Sequence, residues 1–197
     1  MRQKALITGI TGMVGSHLMD FLFEHTDWEI YGVCRWRSPL DNVVQMLDRA
    51  NRGERVFFEY ADLNDEISLV NVVNKVKPDY VFHLAAQSYP LTSFTAPIDT
   101  LNTNILGTCR LLEALRLAIE SDNLYRPIIH ICASSEVFGK IPAAQKPESG
   151  IHEECPFHPA SPYAISKVGT DLLGRYYAEA YGMTVMTTRM FTHTGPR

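Results

Sequence analysis

The stretch Thr8-Gly9-Ile10-Thr11-Gly12-Met13-Val14-Gly15-Ser16-His17 decides the fold of this protein. An apolar, strand-like run over 5–8 leads into it, and an amphipathic, helix-like pattern over 13–25 follows. Its three glycines, spaced G-x-x-G-x-x-G, permit a tight turn, let the backbone approach a pyrophosphate and let helix and strand pack closely. The helix N-terminus adds free N–H groups and the positive end of a dipole. The stretch predicts a dinucleotide-binding turn, against the alternative of a purely structural connection.

Outward from this turn, short β-branched runs alternate with longer patterns whose apolar residues recur about every 3.6 positions. They predict strands over 5–8, 29–34, 56–60, 80–84, 128–132 and 185–188 and helices over 13–25, 64–75, 100–120 and 162–181. This alternation is typical of βαβ units, so we expect an α/β fold with a Rossmann-type, doubly wound parallel sheet. Ligands bind such sheets at the carboxyl ends of the strands.

The composition, with 46% hydrophobic and 20% charged residues among 197, is that of an ordinary globular domain and excludes a disordered chain. A formal net charge of −4 offers no basic surface, so neither nucleic acid nor a membrane is expected as a partner. No run approaches the ~18 apolar residues of a membrane-spanning helix, and no secretory leader is recognised. The four scattered cysteines form no C-x-x-C pair, which fits a reducing compartment, and we expect a cytoplasmic protein.

Residues after the second predicted strand bear on the choice of dinucleotide. An Asp or Glu about 20 residues beyond the glycines would bind the ribose 2′-hydroxyl of NAD. This sequence instead has Cys34-Arg35-Trp36-Arg37-Ser38, whose two guanidinium groups and one hydroxyl suit a 2′-phosphate. The stretch favours NADP over NAD, with a solvated surface pair of arginines as the alternative.

Asp62 and Leu63 follow the third predicted strand. In this place the Asp62 carboxylate could reach the amino group of an adenine. Equally, Asp62 or Asn64 could cap the helix that begins near Asp65. The sequence leaves both interpretations open.

The segment Ser161-Pro162-Tyr163-Ala164-Ile165-Ser166-Lys167 carries a catalytic pattern. It begins with a good N-cap followed by a proline suited to the first helical position, which puts Tyr163 in the first turn and Lys167 on the same face. A neighbouring ammonium and the positive end of a helix both favour the phenolate, a base for a substrate hydroxyl. Ser134, at the end of the fifth predicted strand, could hydrogen-bond that hydroxyl. Together with the glycine turn, these residues indicate a short-chain dehydrogenase/reductase.

Five stretches, in order along the chain, resemble the extended short-chain dehydrogenases/reductases that act on nucleotide sugars. They are TGITGMVGSHL (8–18), HLAAQS (83–88), NTNILGT (102–108), SSEVFGK (134–140) and SPYAISK (161–167). The resemblance covers all 197 residues and is strongest to the GDP-mannose 4,6-dehydratases and the related GDP-heptose 4,6-dehydratases. It implies a nicotinamide cofactor, a GDP-hexose or GDP-heptose substrate and a homodimer or homotetramer.

Residue roles follow from the motifs together with the resemblance. The expected catalytic residues are Ser134, Glu136, Tyr163 and Lys167. Contacts to the cofactor are expected from Gly9, Thr11, Gly12, Met13, Val14, Gly15, Arg35, Arg37, Ser38, Asp62, Leu63, Leu84, Ala85, Ala86, Tyr163, Lys167 and His193. Contacts to the substrate are expected from Gln87, Ser88, Ser134, Ser135, Glu136, Tyr163 and Thr192.

By analogy with the family, Tyr163 would take the proton of the sugar 4-hydroxyl while a hydride leaves C4 for NADP⁺. Glu136 would then remove the acidified C5 proton, the C6 hydroxyl would leave as water, and the hydride would return to C6, giving a 4-keto-6-deoxy sugar nucleotide. Family 4-epimerases and 4-keto reductases work without this base, so Glu136 favours a dehydratase over those alternatives. A non-catalytic dinucleotide sensor is a second alternative, which would need the glycine turn but no base aimed at C5.

Three further features qualify the resemblance. Many family members carry Asn where this chain has Thr192, which argues for a subgroup other than the ordinary GDP-mannose dehydratases. Family members are longer, so residues 1–197 are expected to form an NADP-binding domain that carries the catalytic side chains, without the C-terminal substrate-binding lobe. The cluster His152-Glu153-Glu154-Cys155-Pro156-Phe157-His158 matches no common zinc spacing, and no metal is expected.

Overall fold

Parallel strands form the centre of the fold in this computed structural model, which describes residues 2–143, 147–148 and 150–197. The strands are β1 (Lys4–Thr8), β2 (Glu29–Cys34), β3 (Val56–Tyr60), β4 (Tyr80–His83), β5 (Ile128–Cys132) and β6 (Thr184–Thr188). They lie in the order β3-β2-β1-β4-β5-β6, and every neighbouring pair is parallel. The order reverses between β1 and β4, which puts the switch point beside the glycine turn. The predicted Rossmann-type sheet is confirmed.

Helices cover both faces of the sheet. They are α1 (Met13–His25), α2 (Val44–Asn51), α3 (Glu66–Val76), α4 (Pro90–Thr95), α5 (Pro97–Leu101), α6 (Gly107–Ser121) and α7 (Pro162–Tyr181). Short 3-10 turns occur at Asp41–Val43 and Ser135–Val137. Within the described ranges, none of these helices has the length and apolar character needed to cross a bilayer.

Two hydrophobic cores result from the alternation of side chains along the central strand. Leu6 of β1 packs into a core formed with α3, α6 and α7, whereas Ala5 and Ile7 pack into a second core formed with α1 and α2. All three side chains are fully buried, as expected for a parallel sheet with helices on both faces.

The single helix predicted over 100–120 is divided into α5, a π-helical segment (Asn102–Leu106) and α6. The Asn104 carbonyl oxygen, which a regular helix would use for its own ladder, accepts hydrogen bonds from the hydroxyls of Thr108 and Thr170. These bonds satisfy the carbonyl while the helix widens locally.

The capping residues explain why the prediction missed α2 and placed the start of α3 too early. α2 was not predicted because it follows Val43, which gives it no side-chain cap, and it is only eight residues long. α3 begins at Glu66, two residues later than predicted, because the Asp65 carboxylate accepts the N–H of Ile67 and caps the helix.

Candidate active site and dinucleotide cleft

The glycine turn adopts a conformation that larger residues would disrupt. Gly9 has a φ of +74°, and a Cβ there would lie 2.8 Å from the backbone nitrogen of Ala85. A Cβ on Gly15 would lie 2.9 Å from Cα of Ile10, so this glycine allows α1 to pack on the turn. α1 begins after Gly12 without a side-chain cap, which leaves the N–H groups of its first turn for a ligand.

A cleft of about 370 Å³ opens beside this turn, at the carboxyl ends of β1, β2, β3 and β4. Glycines form one wall, an arginine and a serine flank it, and a carboxylate lies near the far end. Its lining includes the predicted residues Gly9, Thr11, Gly12, Arg35, Ser38, Asp62, Leu63, Leu84, Ala85, Ala86, Gln87 and Ser88. The close backbone approach and the cationic rim fit a dinucleotide.

Some residues predicted to contact the cofactor or substrate lie outside this lining. Arg37 is exposed on the loop that brings Arg35 to the cleft. Thr192 and His193 are exposed on the segment after β6, where the His193 ring bonds to the carbonyl oxygen of Phe191 at 2.9 Å. Three others, Met13, Val14 and Gly15, form the first turn of α1 behind the glycine wall.

The structure distinguishes the two interpretations of Asp62. Its carboxylate lines the cleft and accepts the N–H of Asn64 at 2.9 Å, while Asp65 caps α3. The interpretation of Asp62 or Asn64 as the helix cap is therefore wrong. Asn64, Asp99 and Thr103 also line the cleft and were not predicted. The polar motif Asn102-Thr103-Asn104 was the only sequence signal for this wall.

Gln87 lies at the cleft, but its side-chain amide is engaged within the protein. Its Nε2 donates to the Thr100 hydroxyl at 3.1 Å, and its Oε1 accepts the N–H of Tyr89 at 2.6 Å. Its backbone bonds to the side chain of Asn104 through both N–H and carbonyl groups. Gln87 therefore shapes this wall more than it offers a free donor.

Ser134, Tyr163 and Lys167 lie together and all three are buried, but none of them is among the residues that line the cleft. Ser161 caps α7 by accepting the N–H of Ala164 at 3.0 Å, with proline at the first helical position, so the predicted helix start is confirmed. The Lys167 ammonium donates to the carbonyl oxygen of Cys132 at 2.9 Å and lies 5.9 Å from the centre of the Tyr163 ring. The same helix thus presents both side chains towards the end of β5.

The pKa of the Tyr163 phenol lies above its ordinary value, whereas Lys167 and the helix dipole were expected to lower it. Burial raises the pKa of the phenol, hydrogen bonding from Ser134 opposes that rise, and the charges of Cys132 and Glu136 add to it. Burial also lowers the pKa of Lys167. The expected stabilisation of the phenolate is outweighed in this chain because the phenol is removed from water.

Glu136 occupies the 3-10 turn after β5 and is exposed. The Ser134 hydroxyl accepts its backbone N–H at 3.2 Å, which fixes the turn. Ser135, partly buried, donates its N–H to the carbonyl oxygen of Met190 at 2.9 Å. The exposed Glu136 carboxylate is thus close enough to the buried Tyr163 for its charge to act on that phenol.

Asn104 joins the first turn of α7 to the cleft wall at Gln87 and was not predicted as a site residue. Its Nδ2 donates to the backbone carbonyl of Gln87 at 3.0 Å and to the hydroxyl of Ser166 at 2.8 Å. Ser166 in turn donates to the carbonyl oxygen of Tyr163 at 2.6 Å. The π-helical segment positions Asn104 between the β4 end and the first turn of α7.

A buried histidine extends these bonds to the glycine turn. Burial lowers the pKa of His83 to about 3, so its ring is neutral. Thr108 donates its hydroxyl proton to Asn104 and therefore accepts from His83 Nε2 at 2.9 Å. His83 Nδ1 then accepts from the Thr8 hydroxyl at 2.8 Å. This chain connects the end of β1 with α6.

Comparisons with known proteins agree with this geometry. A family model described as GDP-mannose 4,6 dehydratase matches residues 6–197. The chain is 36% identical to GDP-mannose 4,6 dehydratase of Drosophila melanogaster, over 98% of this chain and 48% of that protein. The chain spans about half the length of the curated relatives it matches.

Solved structures with the same fold carry nicotinamide cofactors. DesIV, a dTDP-glucose 4,6-dehydratase from Streptomyces venezuelae with NAD bound, matches with a TM-score of 0.81 and 28% identity over 98% of this chain and 57% of its own. RMD from Pseudomonas aeruginosa, complexed with NADPH, matches with a TM-score of 0.71 and 29% identity over 98% and 56%. Other solved neighbours are UDP-glucose 4-epimerases.

Proposed function

This chain belongs to the GDP-mannose 4,6-dehydratase family, and from that premise we propose that it is the cofactor-binding and catalytic part of a nucleotide-sugar 4,6-dehydratase. The proposed substrate is GDP-mannose or GDP-manno-heptose, and the product is the 4-keto-6-deoxy sugar nucleotide. Residues 1–197 form the proposed NADP-binding domain, and a substrate-binding lobe would lie in the part of the relatives that this chain does not match. The observation that carries the proposal is the exposed Glu136 beside buried Ser134, Tyr163 and Lys167.

NADP is the proposed form of the nicotinamide cofactor. Arg35 and Ser38 line the cleft close to the glycine turn, and a guanidinium with a hydroxyl suits a 2′-phosphate. The Asp62 carboxylate, in the same cleft, would accept a hydrogen bond from the adenine amino group. When bound, the nicotinamide takes up a hydride from the sugar and later returns it. Solved neighbours hold NAD in one case and NADPH in another, so the preference rests on Arg35 and Ser38.

The side chains of this chain would handle the protons. Ser134 would hydrogen-bond the sugar 4-hydroxyl, and Tyr163 would accept its proton as C4 becomes a ketone. The ketone acidifies the C5 hydrogen, which Glu136 would remove. The C5 electron pair would then form the C5–C6 double bond as the C6 hydroxyl departs as water with the proton that Glu136 took from C5. Once C6 carries the returned hydride, C5 would take a proton from solvent, and Tyr163 would release its own proton to solvent. Glu136 suits the role of C5 base because its carboxylate is exposed and acts by its charge on the buried Tyr163.

Mass spectrometry of GDP-mannose and GDP-manno-heptose incubated with the full-length protein, without added reductant, tests the proposal. Loss of one water from either substrate is expected. Glu136→Gln is expected to bind cofactor normally and to lose elimination by about 100-fold or more, because general-base catalysis contributes that much. Glu154→Gln, which removes an exposed carboxylate of the long connection between Glu136 and α7, is the matched control and should eliminate normally.

Other outcomes would change the proposal. Unchanged substrate mass with inverted stereochemistry at C4 would indicate a 4-epimerase, the alternative that the solved epimerase neighbours favour. Oxidation of added reduced cofactor by a 4-keto sugar would indicate a 4-keto reductase. Dinucleotide binding with no turnover of either sugar would indicate a sensor. Normal elimination by Glu136→Gln would show that the base is another residue.

We also propose that the protein is a homodimer or homotetramer located in the cytoplasm. About half of each of the Leu106, Leu117, Leu172 and Tyr176 side chains is exposed on α6, its π-helical start and α7, an apolar surface suited to a second copy. The four cysteines, Cys34, Cys109, Cys132 and Cys155, are free thiols, as in a reducing compartment.

A further inference from the structure

The two walls at one end of the cleft come from separate parts of the chain. Thr11 and Gly12 belong to the glycine turn, while Arg35 and Ser38 belong to the loop after β2. The Asn42 side chain crosses between these parts. Asn42, in the 3-10 turn that ends the loop, donates its Nδ2 to the carbonyl oxygen of Thr11 at 2.9 Å, and the bond is partly buried.

The backbone of Asn42 is held in place from the other side. Arg197 Nη1 donates to the Asn42 carbonyl oxygen at 3.0 Å, and the same guanidinium pairs with the Asp20 carboxylate of α1. The next residue, Val43, is fully buried in the core beneath α1 and α2, and Leu40 packs against that core. Asn42 therefore joins a fixed backbone to the glycine turn.

The loop after β2 is held by few contacts, one of which is the edge-on packing of the Trp36 ring against Tyr60, with the ring centres 5.1 Å apart. Its internal turn is closed by a bond from Ser38 N to Arg35 O at 3.0 Å, but Arg35, Trp36 and Arg37 are all exposed. The loop leaves the sheet at buried Cys34 and returns to the core at Val43. Between these anchors, the bond from Asn42 fixes its distance from the glycine turn.

From this geometry we propose that Asn42 is a positioning residue that sets the preference of the cleft for NADP over NAD. This inference rests on the proposed function, because it requires a dinucleotide whose pyrophosphate lies on the glycine turn. A charge-assisted bond between Arg35 and a 2′-phosphate depends on the distance between the loop and that turn. NAD has no 2′-phosphate, so its binding depends on the turn but not on that distance.

Calorimetric titration of the full-length protein with NADP⁺ and with NAD⁺ tests the inference. Asn42→Ala is expected to weaken NADP⁺ binding about fivefold to tenfold, the effect of losing one hydrogen bond, and to change NAD⁺ binding less than about twofold. Asn51→Ala, the same change at an exposed position of α2, is the matched control and should alter neither affinity. In an Arg35→Ala background, Asn42→Ala should leave the NADP⁺ to NAD⁺ ratio unchanged, because the two effects share one interaction.

Each other result has a definite meaning. Equal losses for both dinucleotides would show that Asn42 merely stabilises the glycine turn, which overturns the inference. An unchanged ratio in Asn42→Ala, or additive effects with Arg35→Ala, would overturn it as well. A wild-type protein that binds neither dinucleotide would overturn the proposed function first, and this inference with it.

Discussion

The Tyr163 phenol is buried and has two polar neighbours, Ser134 and Lys167, which affect its pKa or lie near its ring. Its side chain is buried beside the Ser134 hydroxyl, and the Lys167 ammonium lies 5.9 Å from its ring centre. Burial raises its pKa more than Ser134 lowers it, which disfavours the phenolate. The base form therefore becomes more abundant as the pH rises.

Ser134→Ala is expected to raise the pKa of Tyr163 further, because it removes the hydrogen bond that opposes burial. The rising limb of the kcat profile against pH should move to higher pH, and kcat near neutrality should fall about 100-fold. The checks are the pH profile and the phenolate absorbance difference between each protein and its Tyr163→Phe derivative. A limb that stays in place or moves to lower pH would contradict this account of Tyr163.

At the scale of elements, α7 and the π-helical segment bring distant residues together. α7 alone supplies Tyr163, Ser166 and Lys167, and the π-helical segment supplies Asn104, which bonds to Ser166. The N-terminal turn of α7 therefore both starts the helix and supports Tyr163, the proposed base. Its cap is the Ser161 hydroxyl, which accepts the N–H of Ala164 at 3.0 Å.

Ser161→Ala should reduce the free energy of unfolding by about 1 kcal/mol, the usual effect of losing a serine cap. Because Tyr163 lies in the frayed turn, kcat should fall more than the KM for the sugar nucleotide changes. Ser161→Asp, which keeps an acceptor at the cap, should restore both stability and kcat. Urea unfolding and steady-state kinetics measure the two effects. Full kcat in Ser161→Ala would show that the turn is held by other contacts.

Across the whole molecule, a buried ion pair joins the chain after β6 to α7. Arg189 donates to the Asp171 carboxylate through two nitrogens, at 2.8 and 3.1 Å, with side-chain exposures of 13% and 4%. The guanidinium also lies 5.2 Å from the Phe138 ring centre and 4.9 Å from that of Phe157. The Arg189 guanidinium thereby joins the segment between β5 and α7 to α7, the helix that carries Tyr163 and Lys167.

Asp171→Ala should lower the free energy of unfolding by about 3–5 kcal/mol, because it leaves the Arg189 charge buried without its partner. Combining it with Arg189→Met should cost less than the sum of the two single changes, since the unpaired charge is then gone. The double-mutant cycle is measured by chemical denaturation. Additive losses would mean that the two side chains stabilise the fold independently.

The amino-acid pattern alone predicts a large part of the molecule. The glycine turn, the six parallel strands, the start of α7 at Ser161 and the family all follow from it. These features depend on the spacing of apolar residues, on helix-capping residues and on the glycines of a tight turn, all of which act within a few neighbouring residues. Ser134, Tyr163 and Lys167 also belong to this predictable part, because short motifs at the ends of adjacent elements bring them together.

The tertiary structure decided the rest, because it depends on residues far apart in sequence and on removal from water. The bond from Asn42 to Thr11 joins positions 31 residues apart, and that from Asn104 to Ser166 spans 62. No local pattern indicates which arginine of the loop after β2 reaches the cleft. The pKa of Tyr163 is raised, whereas the sequence predicted that it would be lowered. The sequence shows the neighbouring lysine and the helix dipole, but only the folded molecule shows that the phenol is buried.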